Sequence, residues 1–172
     1  IFLLIFPIGI YFGLKADPLL AGEANVAFYF ITLSIVGILG LYSVIKRNLD
    51  FGVKSILTGW LVMIVLFFHF AYPPVDALNP VARTRDLIDP NAKLVAYQRL
   101  NAAFVFEYER VIPRYIELTD IQREIDSNKE GFIISRTDWK EELLTIPGLK
   151  VIAEVKDIFE NPTTLILSWG KD

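Results

Sequence analysis

Cysteine is absent from the 172 residues, which excludes disulfides, cysteine-based zinc sites and thiol nucleophiles together. Histidine occurs once, at His69, so residues 73–172 contain none and the usual histidine-dependent hydrolytic triads are disfavoured there. The chain has no serine nucleophile elbow, no G-x-G-x-x-G and no Walker pattern, which argues against an elbow-type hydrolase and a glycine-loop nucleotide site. A basic field is missing too: the net charge is −3, and nucleic acid is set aside as a partner. Charge of either sign is scarce at the front. Residues 1–72 hold four basic side chains (Lys15, Lys46, Arg47, Lys54) against three acidic ones (Asp17, Glu23, Asp50), a net +1 that leaves −4 for residues 73–172.

What is present in that front portion is lipid-like sequence. The chain is 53% hydrophobic, too apolar for an ordinary soluble domain. Val53 to Tyr72, VKSILTGWLVMIVLFFHFAY, carries no charge beyond Lys54. At about 1.5 Å rise per residue it can cross a hydrocarbon core of roughly 30 Å. Pro73-Pro74 is expected to stop that helix, since proline lacks the N–H and restricts the residue before it. Ala24 to Ile45 is a second uncharged stretch of spanning length. Its Ser34, Gly37 and Gly40 offer a small-residue face for a neighbouring helix. Ile1 to Leu14 is apolar but short, and reads as the end of a further span, with Asp17-Pro18 turning the chain after it. The sequence opens inside this run, without initiator Met, basic leader or cleavage site. The expectation is therefore the C-terminal piece of a longer polytopic protein.

Orientation follows from the loops. Lys46–Lys54 is rich in Lys and Arg, whereas Lys15–Glu23 sets one Lys against two acids. The first should face the cytoplasm, which sends residues 73–172 to the extracytoplasmic side. His69 and Tyr72 then fall near the outer boundary, Tyr72 as part of an aromatic belt and His69 as an ionisable group that can meet a phosphate or a neighbouring helix. One histidine alone is a poor metal site. Residues 73–92 form a proline-rich juxtamembrane linker in which Arg83 and Arg85 can pair with lipid phosphates, or locally with Asp86 and Asp89.

From Lys93 the periodicity changes. Leu94–Tyr97 and Gly131–Ser135 read as strands, and Val111–Leu118 as a strand interrupted by Pro113. Phe104 and Tyr108 stand at i, i+4 in an apolar segment. Thr119 to Gln122 has capping-box spacing ahead of Ile121 and Ile125, and Thr137 is placed to cap a helix carrying Trp139 and Leu143. Pro147-Gly148 and Asn161-Pro162 mark turns on either side of a strand from Leu149, and Thr163–Trp169 closes the domain. The expected fold is a multi-span α-helical membrane segment (residues 1–72) followed by a small α/β domain (residues 93–172). Its mixed sheet has about five strands, with the last pair antiparallel. Glu107 and Glu109 would point about 200° apart on a helix, which favours solvated surface charge over paired acid–base work.

Several stretches resemble a known family. LNPVARTRDLI, KLVAYQRLNAAFVFEYER, GFIISRTDW and KVIAEVKDIFENPTTLILS, after a last span ending in aromatics and prolines, are similar to the C-terminal portion of bacterial family-39 glycosyltransferases. These are multispanning GT-C enzymes related to protein O-mannosyltransferases and the lipid A aminoarabinose transferase. The resemblance implies transfer of a sugar from a polyprenyl-phosphate carrier to an acceptor outside the cytoplasmic membrane. It also implies upstream helices of the same protein, and a catalytic Asp, with any divalent metal, in a loop before Ile1. No catalytic residue is therefore expected here, and Asp17 is not given that role. His69, Arg83, Arg85, Tyr97 and Arg99, with Gln98 and Tyr108 beside them, are the candidate contacts to the lipid phosphate or substrate. A membrane-tethered ligand-binding or sensor domain, and an assembly subunit, are the competing readings.

Overall fold

The computed structural model describes residues 2–158 and 162–170, so the Asn161 half of the expected Asn161-Pro162 turn lies outside the described residues. The chain divides into two compact units, Ile1–Leu78 and Asn79–Asp172.

The first unit is helical. α1 (Phe2–Ala16) ends in a turn where the Asp17 carboxylate accepts from the Leu19 N–H at 2.8 Å. A 3₁₀ stretch, Ala21–Phe30, runs on into α2 (Ile31–Ile45), and α3 (Leu49–Leu66) starts at Asn48, whose side chain caps Phe51 N–H. Two continuous helices, Ala21–Ile45 and Leu49–Asp76, are long and apolar enough to cross a membrane. α1, at 15 residues, is shorter than that. Only 6% of the most apolar window of Leu49–Asp76 is buried among the described residues.

The helix does not stop at Pro73-Pro74. After α3 it widens into a single π-helical turn, Phe67–Ala71, and restarts as α4 (Tyr72–Asp76) with the prolines in its first turn. Proline's fixed φ suits the first turn of a helix, and the π turn before it marks the local break in the regular ladder.

Small residues set the helix contacts. Gly37 lies against Leu3, and Ser34 donates its hydroxyl to the carbonyls of Leu3 and Leu4 at 3.1 and 3.2 Å. Gly40 faces open space. A closer approach, unremarked in the sequence, is that of α2 to α3: a Cβ on Gly52 would strike Ser43, and one on Gly59 would strike Val36.

The second unit begins with α5 (Pro80–Thr84), capped by Asn79, and a 3₁₀ turn at Arg85–Leu87. Then follow β1 (Lys93–Tyr97), α6 (Ala102–Glu107), β2 (Arg114–Tyr115), α7 (Leu118–Ser127) and β3 (Gly131–Arg136). A 3₁₀ turn at Thr137–Trp139 leads to α8 (Lys140–Leu143), β4 (Lys150–Lys156) and β5 (Thr163–Trp169). The five strands form one mixed sheet in the order β2-β1-β3-β5-β4, with β2, β1 and β3 parallel and β5 antiparallel to both neighbours. β3 and β5 are buried on both faces, which is why they read as continuous apolar runs.

Two expected caps are not made. α7 starts two residues early, with Glu117 at the N-cap and no side-chain bond, so Thr119 lies inside the first turn. Thr137 opens a 3₁₀ turn rather than capping a helix. In both cases packing fixes the start: Leu118 and Trp139 are drawn onto the core layer that holds Ile121 and Leu143. The sheet's edges are weak by construction. β2 is cut to two residues after Pro113, and β4 carries a register shift between Val151 and Ala153 with charges at Lys150, Glu154 and Lys156.

Candidate functional site

Adjacent parallel strands β1 and β3 send the chain to opposite faces of the sheet. After β1 the chain enters α6, whose Phe104 packs with Leu94, Ala96, Phe132 and Ile134. After β3 it enters α8, whose Leu143 packs on the other side with Val95, Tyr97 and Ile133. Where two such connections part, a crevice opens at the carboxyl ends of the strands, the position at which open α/β sheets bind ligands. A hollow of about 250 Å³ lies there. Arg99, Leu100, Asn101 and Ala102 line it from the end of β1, Ile134, Ser135 and Arg136 from β3, and Asp157 and Thr164 from the β4–β5 side.

Buried polarity concentrates in this hollow. Of the five buried polar or charged side chains described in residues 79–172, three line it: Ser135, Asp157 and Thr164. Asp157, 7% exposed, is the one charged residue in that group. The Thr164 hydroxyl donates to its carboxylate at 2.6 Å, and the Ser135 hydroxyl donates to the Tyr97 carbonyl at 3.0 Å. Burial of polar groups costs free energy unless they are bonded, and these are held by specific partners.

The backbone entering the hollow is unusual. Gln98 has φ +60°, a conformation rare for a residue with a side chain. It is held there by two bonds: its N–H donates to the Tyr115 carbonyl and its side-chain amide to the Ile116 carbonyl, each at 2.8 Å. Strain fixed in this way gathers at ligand sites. Here it turns the chain abruptly from β1 into the Arg99–Ala102 rim.

The residues singled out from the sequence are dispersed. Arg99 is exposed on the rim of the hollow. Tyr97 is a core residue rather than a surface contact. It is 1% exposed, because strand alternation turns it under α8, where its hydroxyl donates to Glu142 at 2.8 Å and burial pushes the phenol above its ordinary pKa. His69 is exposed in the π turn, edge-on to Phe70 at 4.9 Å. Arg83 is exposed on α5 and has no ion pair among the described residues.

Arg85 and Tyr108 share a different hollow, of about 540 Å³, with Asp86, Asp89, Glu107 and Glu109. Four carboxylates against one guanidinium make this a poor anion site, and Arg85 Nε lies 3.8 Å from Asp86 Oδ1. Burial, then Glu107, pushes the Tyr108 phenol up. Glu107 and Glu109 both reach this hollow because α6 ends at Glu107 and Glu109 adopts φ +47°. The helical 200° separation therefore does not apply.

Among the described residues no group of three or more His, Asp or Glu is arranged to hold a metal ion. Ser135, Arg136, Asp157 and Thr164 were not singled out from the sequence. The available signal was positional: Arg99 and Arg136 each follow an apolar strand, at its carboxyl end. No protein-family model, curated protein or solved structure matches the chain.

Proposed function

We propose that the chain is the C-terminal part of an integral membrane glycosyltransferase of the bacterial cytoplasmic membrane. It would transfer a sugar from a polyprenyl-phosphate donor to an extracytoplasmic lipid or protein acceptor. In this reading α1 completes a third span with upstream sequence, and residues 73–172 stand on the periplasmic side. The observation that carries the reading is a succession along one chain. Two apolar helices of membrane length lead, within seven and nine residues of Asp76, to the exposed Arg83 and to Arg85 at the start of an α/β unit. The resemblance of LNPVARTRDLI and AYQRLNAAFVFEY to family-39 transferases supports it.

The chemistry asks for such residues. A glycosyl phosphate donor needs its departing phosphate stabilised by cations, at a boundary shielded from bulk water. Arg83 supplies a guanidinium without an ion-pair partner among the described residues. Arg85 shares its hollow with four carboxylates, so Arg83 carries more of this role than Arg85. In membranes carrying the full-length protein, Arg83→Ala with Arg85→Ala is expected to raise KM for the lipid donor about tenfold or more, with acceptor KM little changed. Unchanged donor kinetics remove both arginines from the site.

A second reading, a membrane-tethered ligand-binding domain without catalysis, is favoured by the polar hollow at the ends of β1 and β3. Binding of a small ligand with no sugar transfer by the full-length protein would select it.

A further inference from the structure

A groove runs along the seam between α2 and α3. We propose that it holds one acyl chain of an anionic phospholipid, whose phosphate is met by Lys46 and Arg47. The inference rests on the reading of these two helices as membrane spans.

Shape gives the chain. Ile35, Val36 and Leu39 of α2 and Phe51, Lys54 and Val62 of α3 line a hollow of about 410 Å³. From Phe51 to Val62 the wall is one continuous helix. At 1.5 Å per residue that wall is about 16 Å long, about half of a 30 Å hydrocarbon core and so the depth of one leaflet. Spread over this length, the volume corresponds to a section of about 25 Å², a third or less of that of a helix about 10 Å across. Such a groove seats an extended hydrocarbon chain and is too narrow for another helix. Ile35 and Val62 are 51% and 42% exposed, which leaves apolar surface for that chain to cover.

The charged end of the groove gives the headgroup. Phe51, at that end, meets Tyr42 edge-on at 6.2 Å, and Lys46 stands over the Tyr42 ring at 5.9 Å. Arg47 is next in the chain, exposed and without a side-chain partner among the described residues. Lys54 and Asp50 neutralise each other at 2.7 Å, so the charge left for a ligand is that of Lys46 and Arg47. The turn that carries them is fixed. The buried Ser43 donates its hydroxyl to the Asn48 carbonyl at 2.6 Å, the Asn48 N–H donates to the Ser43 carbonyl at 2.9 Å, and Arg47 between them stands at φ +50°. Basic side chains at the end of a groove between membrane helices select anionic headgroups, and a guanidinium fork matches phosphate.

The test is lipid binding to the full-length protein in detergent, read by native mass spectrometry, with dipalmitoyl-phosphatidylglycerol and dipalmitoyl-phosphatidylcholine as separate probes. Phosphatidylglycerol should bind about thirtyfold more tightly, the effect of two basic residues near the headgroup. Arg47→Asn with Lys46→Gln should bring the two lipids to within about twofold of each other, asparagine being a residue that accepts a positive φ. Thr58→Phe places a ring within the groove from an exposed position and should weaken both lipids about tenfold, with an unchanged thermal midpoint. Lys15→Gln, at the end of α1 where Asp17 and Glu23 offset its charge, should alter neither affinity. The site is overturned if the wild type does not prefer phosphatidylglycerol, if Lys15→Gln removes the preference as fully as the changes at 46 and 47, or if Thr58→Phe leaves both affinities unaltered. Carbonate washing of phosphatidylcholine vesicles carrying the protein separates the two readings. Protein that stays in them yet shows no preference for phosphatidylglycerol contradicts the lipid site alone, whereas protein that washes off contradicts the membrane spans as well.

Discussion

Thr164 donates its hydroxyl to the buried carboxylate of Asp157 at 2.6 Å, while its backbone stands opposite Arg136 across the β3–β5 ladder. One residue thus ties the floor of the hollow to the central antiparallel pair. Thr164→Val keeps the shape and removes the donor, so it should cost about 1–3 kcal/mol. Chemical denaturation of the chain reads that loss, and a midpoint unchanged from wild type would show that the bond contributes nothing net.

Glu124 links β1, β2 and α7. Its carboxylate accepts from the Tyr115 hydroxyl and pairs with Lys93 at 2.9 Å. The Tyr115 bond first, and Lys93 next, hold its pKa below the ordinary carboxylate value. A lowered folded-state pKa gives stability that is fully present above the unfolded-state pKa of about 4.3 and is lost as pH falls through the folded-state value. Stability of the α/β unit should therefore decline below about pH 4.5, and Glu124→Gln should flatten that part of the profile while lowering stability at pH 7. An identical acid limb in wild type and variant would exclude the linkage.

In the helical unit, α2 and α3 meet where Gly59 faces Val36. A side chain there overpacks the contact, so Gly59→Val should destabilise the protein in detergent by about 1–3 kcal/mol. Gly40, with nothing near its Cβ position, should accept alanine without loss. Equal thermal midpoints for Gly59→Val and wild type would contradict the packing.

The absence of cysteine makes topology directly readable. Single cysteines replacing Asp50, exposed in the first turn of α3, and Val111, exposed in the α/β unit, should differ in intact cells. A membrane-impermeant maleimide should label position 111 and not position 50. Labelling of both, or the reverse pattern, would refute the orientation proposed from Lys46, Arg47 and Lys54.

Much of the fold was legible because apolar periodicity reports burial. Ile133 and Leu167 lie in runs apolar on both sides, and they occupy central strands. Helix ends were less legible, because Leu118, which opens α7, and Trp139, which precedes α8, are placed by core packing that local capping patterns do not contain. The continuation of the helix through Pro73-Pro74 depended on a π turn that sequence spacing does not signal. The hollow was legible only in part. Arg99 was singled out, but Asp157 and Thr164 come to it from residues more than fifty positions away, joined by strand order rather than by any motif.

The most direct test is sugar transfer by the full-length protein in lipid, supplied with a labelled polyprenyl-phosphate sugar. The account expects label to move from the carrier to a lipid or protein acceptor, and the movement to weaken when Arg83 and Arg85 are both alanine. Protein that is folded and membrane-embedded, yet moves no sugar from any polyprenyl-phosphate donor tried, would contradict it.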